Sequence, residues 1–237
     1  MDAVLYPEAE SWQKEISMTQ QKSPSALGFL IVCGSVWGLA EAGLGLALES
    51  CAKLASGSIM TGIGLAFIAA AWARTRRVSG PALVVGMALF FKLFDALLLG
   101  LPIKHGAVAN PMFAFATEGL ALLVLVPFLS EAWKGKAVGQ AFLGGTSALL
   151  AVNLFPLVRF ATGIPACVVP GGTMPLSLYY APLAVGLSLL TVPFGFFLAA
   201  KAGAWEGRLA ATPGISRWIA PAAATLCLAL VAFLRLA

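Results

Sequence analysis

The stretch Phe90-Phe91-Lys92-Leu93-Phe94-Asp95-Ala96-Leu97-Leu98-Leu99-Gly100 places a cation and an anion three residues apart in an otherwise apolar run. On a helix, residues i and i+3 share a face, so Lys92 and Asp95 can pair. Two further acids have similar surroundings, Glu41 within "CGSVWGLAEAGLG" and Glu118 within "ANPMFAFATEG". Asn153 is the leading neutral polar residue of the set. Three acids against one base suit a cation, a proton or an amine-bearing ligand. Lys92 equally suits an anionic part of a ligand. The structural alternative is a cluster that satisfies itself by pairing, or by protonation where burial disfavours the charged form. No nucleophile is paired with a base beside these groups, so the chain is not expected to be an enzyme.

The elements that position them follow from composition. The chain has 237 residues, 60% hydrophobic and 11% charged, with mean hydropathy +0.92. Soluble domains carry about 25% charged residues. Less than half of that leaves too little polar surface to cover a globule in water, so the bilayer is the expected solvent. A spanning helix needs roughly 20 apolar residues, to cross about 30 Å at 1.5 Å per residue. Seven stretches qualify, at about 25–49, 58–74, 80–101, 111–132, 137–162, 176–200 and 214–235, the second being short. Their apolar runs are continuous rather than alternating, which excludes barrel strands. The expected fold is an all-α integral membrane protein with about seven transmembrane helices. Residues 1–24 form a polar tail, 25–213 a six-helix core, and 214–237 an additional C-terminal helix. A signal peptide fits poorly, because about 24 polar residues precede the first apolar run. Met18 is an alternative start.

Basic residues fall unevenly. Lys14, Lys22, Arg74, Arg76, Arg77, Lys134, Lys136, Lys201, Arg208 and Arg217 share one side; Lys53, Lys104, Arg159 and Arg235 take the other. The positive-inside rule then places the N-terminus in the cytoplasm, as in a bacterial or archaeal inner membrane. Trp72, Trp133, Trp205 and Trp218 stand at the basic side, as an interfacial belt would. The net charge of +5 is accordingly a topology and lipid signal, with no nucleic-acid partner expected.

An ionisable group in hydrocarbon costs about 2.5–3.5 kcal/mol on insertion scales, so such groups face the bundle or a wet cavity. Counted from the predicted helix ends, Glu41, Lys92, Asp95, Glu118 and Asn153 lie roughly 9–14 Å below the outer boundary. They therefore form one polar layer, the candidate ligand site. Gly34, Gly38, Ala42 and Gly45 share a stripe with Glu41, so that face is expected to approach a neighbouring helix closely. Thr146 and Asn153, seven residues apart, share a face of the fifth segment.

No phosphate-binding Gly-rich motif is present, so ATP-driven work would need a separate subunit. His105 is the only histidine and reads as an exposed loop residue. No His/Cys grouping has metal or haem spacing, and no metal or cofactor is expected. Cys33 and Cys227 sit in apolar segments as packing residues. Cys51 and Cys167 fall in predicted outer loops, where a disulfide between them is possible chemistry.

The layout resembles the substrate-binding S component of energy-coupling factor (ECF) transporters, over residues 25–200. The resemblance rests on "VWGLAEAGLG", "SGSIMTGIGLAF" and "ANPMFAFATEG". The segment after residue 213 departs from that six-helix pattern. So does the first helix, which lacks an Ala-x-x-x-Ala docking pair and offers Gly34 and Gly38 instead. The resemblance implies a substrate-binding membrane subunit of an uptake transporter. Its small-molecule ligand would sit in the outer half, and a membrane partner with separate ATPases would drive release. The competing expectation is a non-catalytic structural or anchoring subunit whose intramembrane charges pair with one another.

Overall fold

The computed structural model describes residues 24–47, 53–163, 176–209 and 213–236. Among these it is all helical, with seven helices long and apolar enough to cross a membrane. They are α1 (Pro24–Ala47), α2 (Lys53–Thr75), α3 (Ser79–Leu98), α4 (Gly106–Leu125), α5 (Ala137–Leu154), α6 (Leu176–Leu209) and α7 (Pro213–Leu236). A one-turn helix, Glu131–Lys134, precedes α5. A 3-10 turn at Phe155–Leu157 and the short helix Val158–Thr162 extend it. The protein is thus a multi-pass membrane protein. Cys51 and Cys167 lie outside the described residues; Cys33 and Cys227 are buried free thiols.

The fourth helix begins earlier than expected. The fourth apolar stretch is expected to start at 111, but α4 opens at Gly106 and carries Pro111 in its second turn. His105 makes this possible. Its Nδ1 accepts a hydrogen bond from the Ala107 N–H at 3.2 Å, which occupies one of the donors a helix N-terminus leaves open. His105 is therefore a cap as well as an exposed residue.

α2 is the central helix. Leu65, Ile68, Ala69, Ala70 and Ala71 are wholly buried along it, and its apolar window is the most enclosed of the seven. Hydrocarbon gives apolar side chains no reason to leave lipid, so close approach and hydrogen bonds hold such helices together. α2 shows both against α6. Thr191 donates to the Gly62 carbonyl at 2.7 Å, Ser58 donates to the Tyr180 carbonyl at 3.3 Å, and Gly195 lies directly on the Ala66 carbonyl. The matching order of these pairs makes α2 and α6 parallel. α5 completes this layer antiparallel to α6, with Gly144 against the Ser188 carbonyl.

α1 and α3 form a second parallel pair. Gly34 meets Met87 and Gly38 meets Phe91 with no room for a Cβ. The small-residue stripe thus does what its spacing suggests, except at Gly45, which has nothing within 4 Å. α7 packs mainly on α1 and less on α3. Only 17% of its apolar window is buried, against 56% for α2, so it is a peripheral addition to the bundle.

Arg76 pairs with Glu131 at 3.2 Å, which fixes the α2–α3 and α4–α5 connections at the same end of the bundle. Trp133, Trp205 and Trp218 are exposed at that end, as a belt requires. Trp72 is a correction. It is buried in the main core against Phe196, with Arg76 and Lys134 over its ring at 4.6 and 5.1 Å. Gly80 packs on Thr75 and the Ala71 carbonyl, so the start of α3 covers this end of α2.

Candidate functional site

The site assembles where α1, α2, α3, α4 and α7 face one another. It has two parts about one helical turn apart along α1, marked by Trp37 and Glu41.

The first part is an ion cluster. Asp95 is buried, with both carboxylate oxygens occupied. Arg235 Nε donates to Oδ1 at 2.5 Å, and an Arg235 terminal nitrogen donates to Oδ2 at 3.1 Å. Lys92 Nζ donates to the same Oδ2 at 3.3 Å. The i,i+3 pair expected from the sequence is present, and the arginine is new to it. Arg235 belongs by position to the far loop side, yet its side chain turns inward and is only 11% exposed. The missed signal is the length of the arginine side chain on the last turn of a terminal helix, which lets a charge near an end reach back into the bundle.

The second part lies deeper. Glu118 is 3% exposed and sits among Trp37 of α1, Thr61 and Gly64 of α2. Its Oε2 packs directly on the Gly64 backbone, where a Cβ would displace it. The Trp37 Cζ2 edge stands beside the same point, 2.8 Å from where that Cβ would fall. The Thr61 hydroxyl approaches the carboxyl, and Phe115 stacks obliquely on Trp37 with centroids 4.8 Å apart. Because α4 starts at Gly106, Glu118 is twelve residues into its helix, about 18 Å. It is therefore near the middle of its span, below the expected layer.

Glu41 joins the two parts. It lies close enough to Lys92, Asp95 and Glu118 for their charges to interact. Its Oε2 is enclosed and has no hydrogen-bond partner. The same holds for Glu118 Oε2 and for Trp37 Nε1, the donor at the end of a wholly buried indole. Buried polar groups are normally bonded, and each orphan costs about 1–3 kcal/mol. Three orphan polar atoms on neighbouring side chains therefore call for an explanation.

Asn153 is not brought to this cluster. It is exposed on α5, where its side-chain amide donates to the Leu149 carbonyl one turn back, at 2.7 Å. Thr146 does the same toward Phe142. Such local bonds satisfy a polar group facing outward without help from another helix. Four of the five expected site residues thus converge, and Trp37, Thr61, Gly64 and Arg235 join them. Among the described residues no group of three or more His, Cys, Asp or Glu has metal-binding placement.

Compared with known proteins, the chain matches no family model, no curated protein and no solved structure. Of the expected layout, the structure shows a helical bundle with seven membrane-length apolar helices, one more than the six-helix S-component pattern.

Proposed function

We propose that this chain is the substrate-binding membrane subunit of a small-molecule uptake transporter, with its ligand held among Glu41, Glu118 and the Lys92–Asp95 pair. One observation carries the reading: Glu41 Oε2, Glu118 Oε2 and Trp37 Nε1 are enclosed in the bundle without partners. A purely structural cluster would be expected to satisfy its own members. A ligand supplies the missing partners when bound.

The remaining parts of the proposal follow from the sequence. The basic end faces the cytoplasm of a bacterial or archaeal cell, which opens the Glu41–Asp95 side outward. A partner membrane subunit and separate ATPases supply the driving force, as the S-component resemblance implies. The second reading, an anchoring subunit, is favoured by Asp95 alone, whose two oxygens are fully bonded by Lys92 and Arg235.

The test is native mass spectrometry of the full chain, purified in mild detergent from its own host. The transport reading expects a retained small molecule that is lost in Glu118→Gln protein of unchanged helicity. Repeated preparations with no retained molecule, together with stoichiometric capture of another membrane subunit, would replace it with the anchoring reading.

A further inference from the structure

We infer that the group this site recognises is an ammonium, held by Glu118 and Glu41 beside the Trp37 indole. The inference rests on the transport reading and narrows it to one ligand chemistry.

Charge balance comes first. Arg235 changes the account that the sequence suggests. Lys92 and Arg235 supply two positive charges, and Asp95, Glu41 and Glu118 three negative ones, so the ionised cluster carries one net negative charge. Asp95 takes both cations in direct bonds. The Lys92–Asp95–Arg235 triad is then positive by one charge and the ionised Glu41–Glu118 pair negative by two, so one monovalent cation at the pair neutralises the cluster as a whole.

The orphan atoms then choose among cations. The two carboxyl oxygens accept an alkali ion or N–H donors alike, but the Trp37 Nε1 donor beside them needs an acceptor, which a bare alkali ion does not offer. A divalent ion asks for six or more oxygen ligands, and the described residues hold no group of three acids placed for one. An ammonium offers up to three N–H donors and matches both oxygens. Trp37, whose Cζ2 edge stands beside the Glu118 carboxyl, is the other member of the site. Its unpartnered Nε1 adds one requirement, an acceptor on the same ligand near the amine, such as a hydroxyl or carbonyl oxygen. Gly64 completes the arrangement as a positioning residue. Its missing Cβ is what lets the Glu118 carboxyl and the Trp37 edge stand together.

The rival occupant is a proton shared by the two carboxyls, which would neutralise the cluster without a ligand. The experiment separates them. The full chain in lipid nanodiscs is titrated calorimetrically with ethanolammonium chloride, sodium chloride and neutral ethylene glycol at matched ionic strength. Ethanolammonium is expected to bind saturably in the ~millimolar range, as four heavy atoms allow. Sodium and ethylene glycol are expected to give no saturable heat. Glu118→Gln and Glu41→Gln should each weaken ethanolammonium about tenfold or more, while Asn153→Ala leaves it unchanged. Where a variant does not fold, dipolar-recoupling NMR of wild-type protein places 15N-ethanolammonium within bonding distance of the Glu118 carboxyl carbon. Equal binding by sodium, an unweakened pair of variants, or no contact at Glu118 overturns the ammonium assignment. A retained solute without an amine in native mass spectrometry overturns it while leaving the transport reading intact. No retained solute and no binding by any probe overturns both.

Discussion

Arg235 can be tested as the residue that ties α7 to the bundle through Asp95. Its Nε and a terminal nitrogen reach the two Asp95 oxygens at 2.5 and 3.1 Å, and the side chains are 11% and 3% exposed. Breaking a buried pair by removing one partner costs about 3–5 kcal/mol when the other charge is left alone. Arg235→Met does not leave Asp95 alone, because Lys92 stays at 3.3 Å. The expected loss is therefore smaller, about 1.5–3 kcal/mol, the range of hydrogen bonds to charged groups. Asp95→Asn is expected to be worse, at about 3–5 kcal/mol, since it leaves two cations facing each other in the bundle. Lys92→Met should be the mildest of the three, with the Arg235 fork intact. The double variant Asp95→Asn/Arg235→Met should be less damaging than the sum of its parts, by about 1–3 kcal/mol. Reversible unfolding of the purified protein in mixed SDS–dodecylmaltoside micelles, followed by tryptophan fluorescence and helicity, reads each value. An Arg235→Met loss below about 0.5 kcal/mol, or strictly additive variants, would refute the buried fork as the anchor of α7.

Gly195→Ala should destabilise by about 1–3 kcal/mol, because its Cβ would fall on the Ala66 carbonyl, whereas Gly86→Ala, with nothing within 4 Å, should be neutral or slightly stabilising in the same unfolding assay. Asn153→Ala should change stability by less than about 0.5 kcal/mol, since it removes only an exposed bond to the Leu149 carbonyl. The Glu131 carboxyl, held by the Lys134 ammonium at 2.7 Å and by Arg76, should titrate below the ordinary glutamate range in a 13C carboxyl NMR experiment. Its stabilisation is then fully present above the unfolded carboxylate pKa, about 4.3, and is lost as pH falls through the lowered folded value. Lys134→Ala should return the midpoint toward the ordinary range.

Much of the bundle is legible in the chain because lipid imposes it. A backbone in hydrocarbon must bond to itself, so long apolar runs become helices, and all seven appear, although α2 starts at Lys53 rather than 58 and is not short, and α6 runs to Leu209 rather than 200. The Gly34–Gly38 stripe also marks a real helix contact, since small residues have few other uses on such a face. The early start of α4 turned on Pro111. Pro111 is the sixth residue of α4, past the four N–H groups that a helix start leaves open, so the helix runs through it without a bond to the Ala107 carbonyl, a cost that the surrounding packing outweighs.

The candidate site divides more sharply. Sequence alone determined which ionisable residues must avoid lipid, because the cost of a charge in hydrocarbon depends on residue type and depth. It marked Glu41, Lys92, Asp95 and Glu118 for that reason, and all four converge. It also marked Asn153, where the rule is weaker: a neutral amide can close a bond to its own helix and face outward, as this one does. Only the tertiary structure decided who meets whom. Periodicity fixes the face of one helix but not the rotation of one helix against the next. Arg235 reaching back onto Asp95, and Gly64 opening a place where Glu118 and Trp37 meet, depend on that rotation. Those two contacts separate a satisfied ion cluster from two carboxyls that each keep one oxygen without a partner.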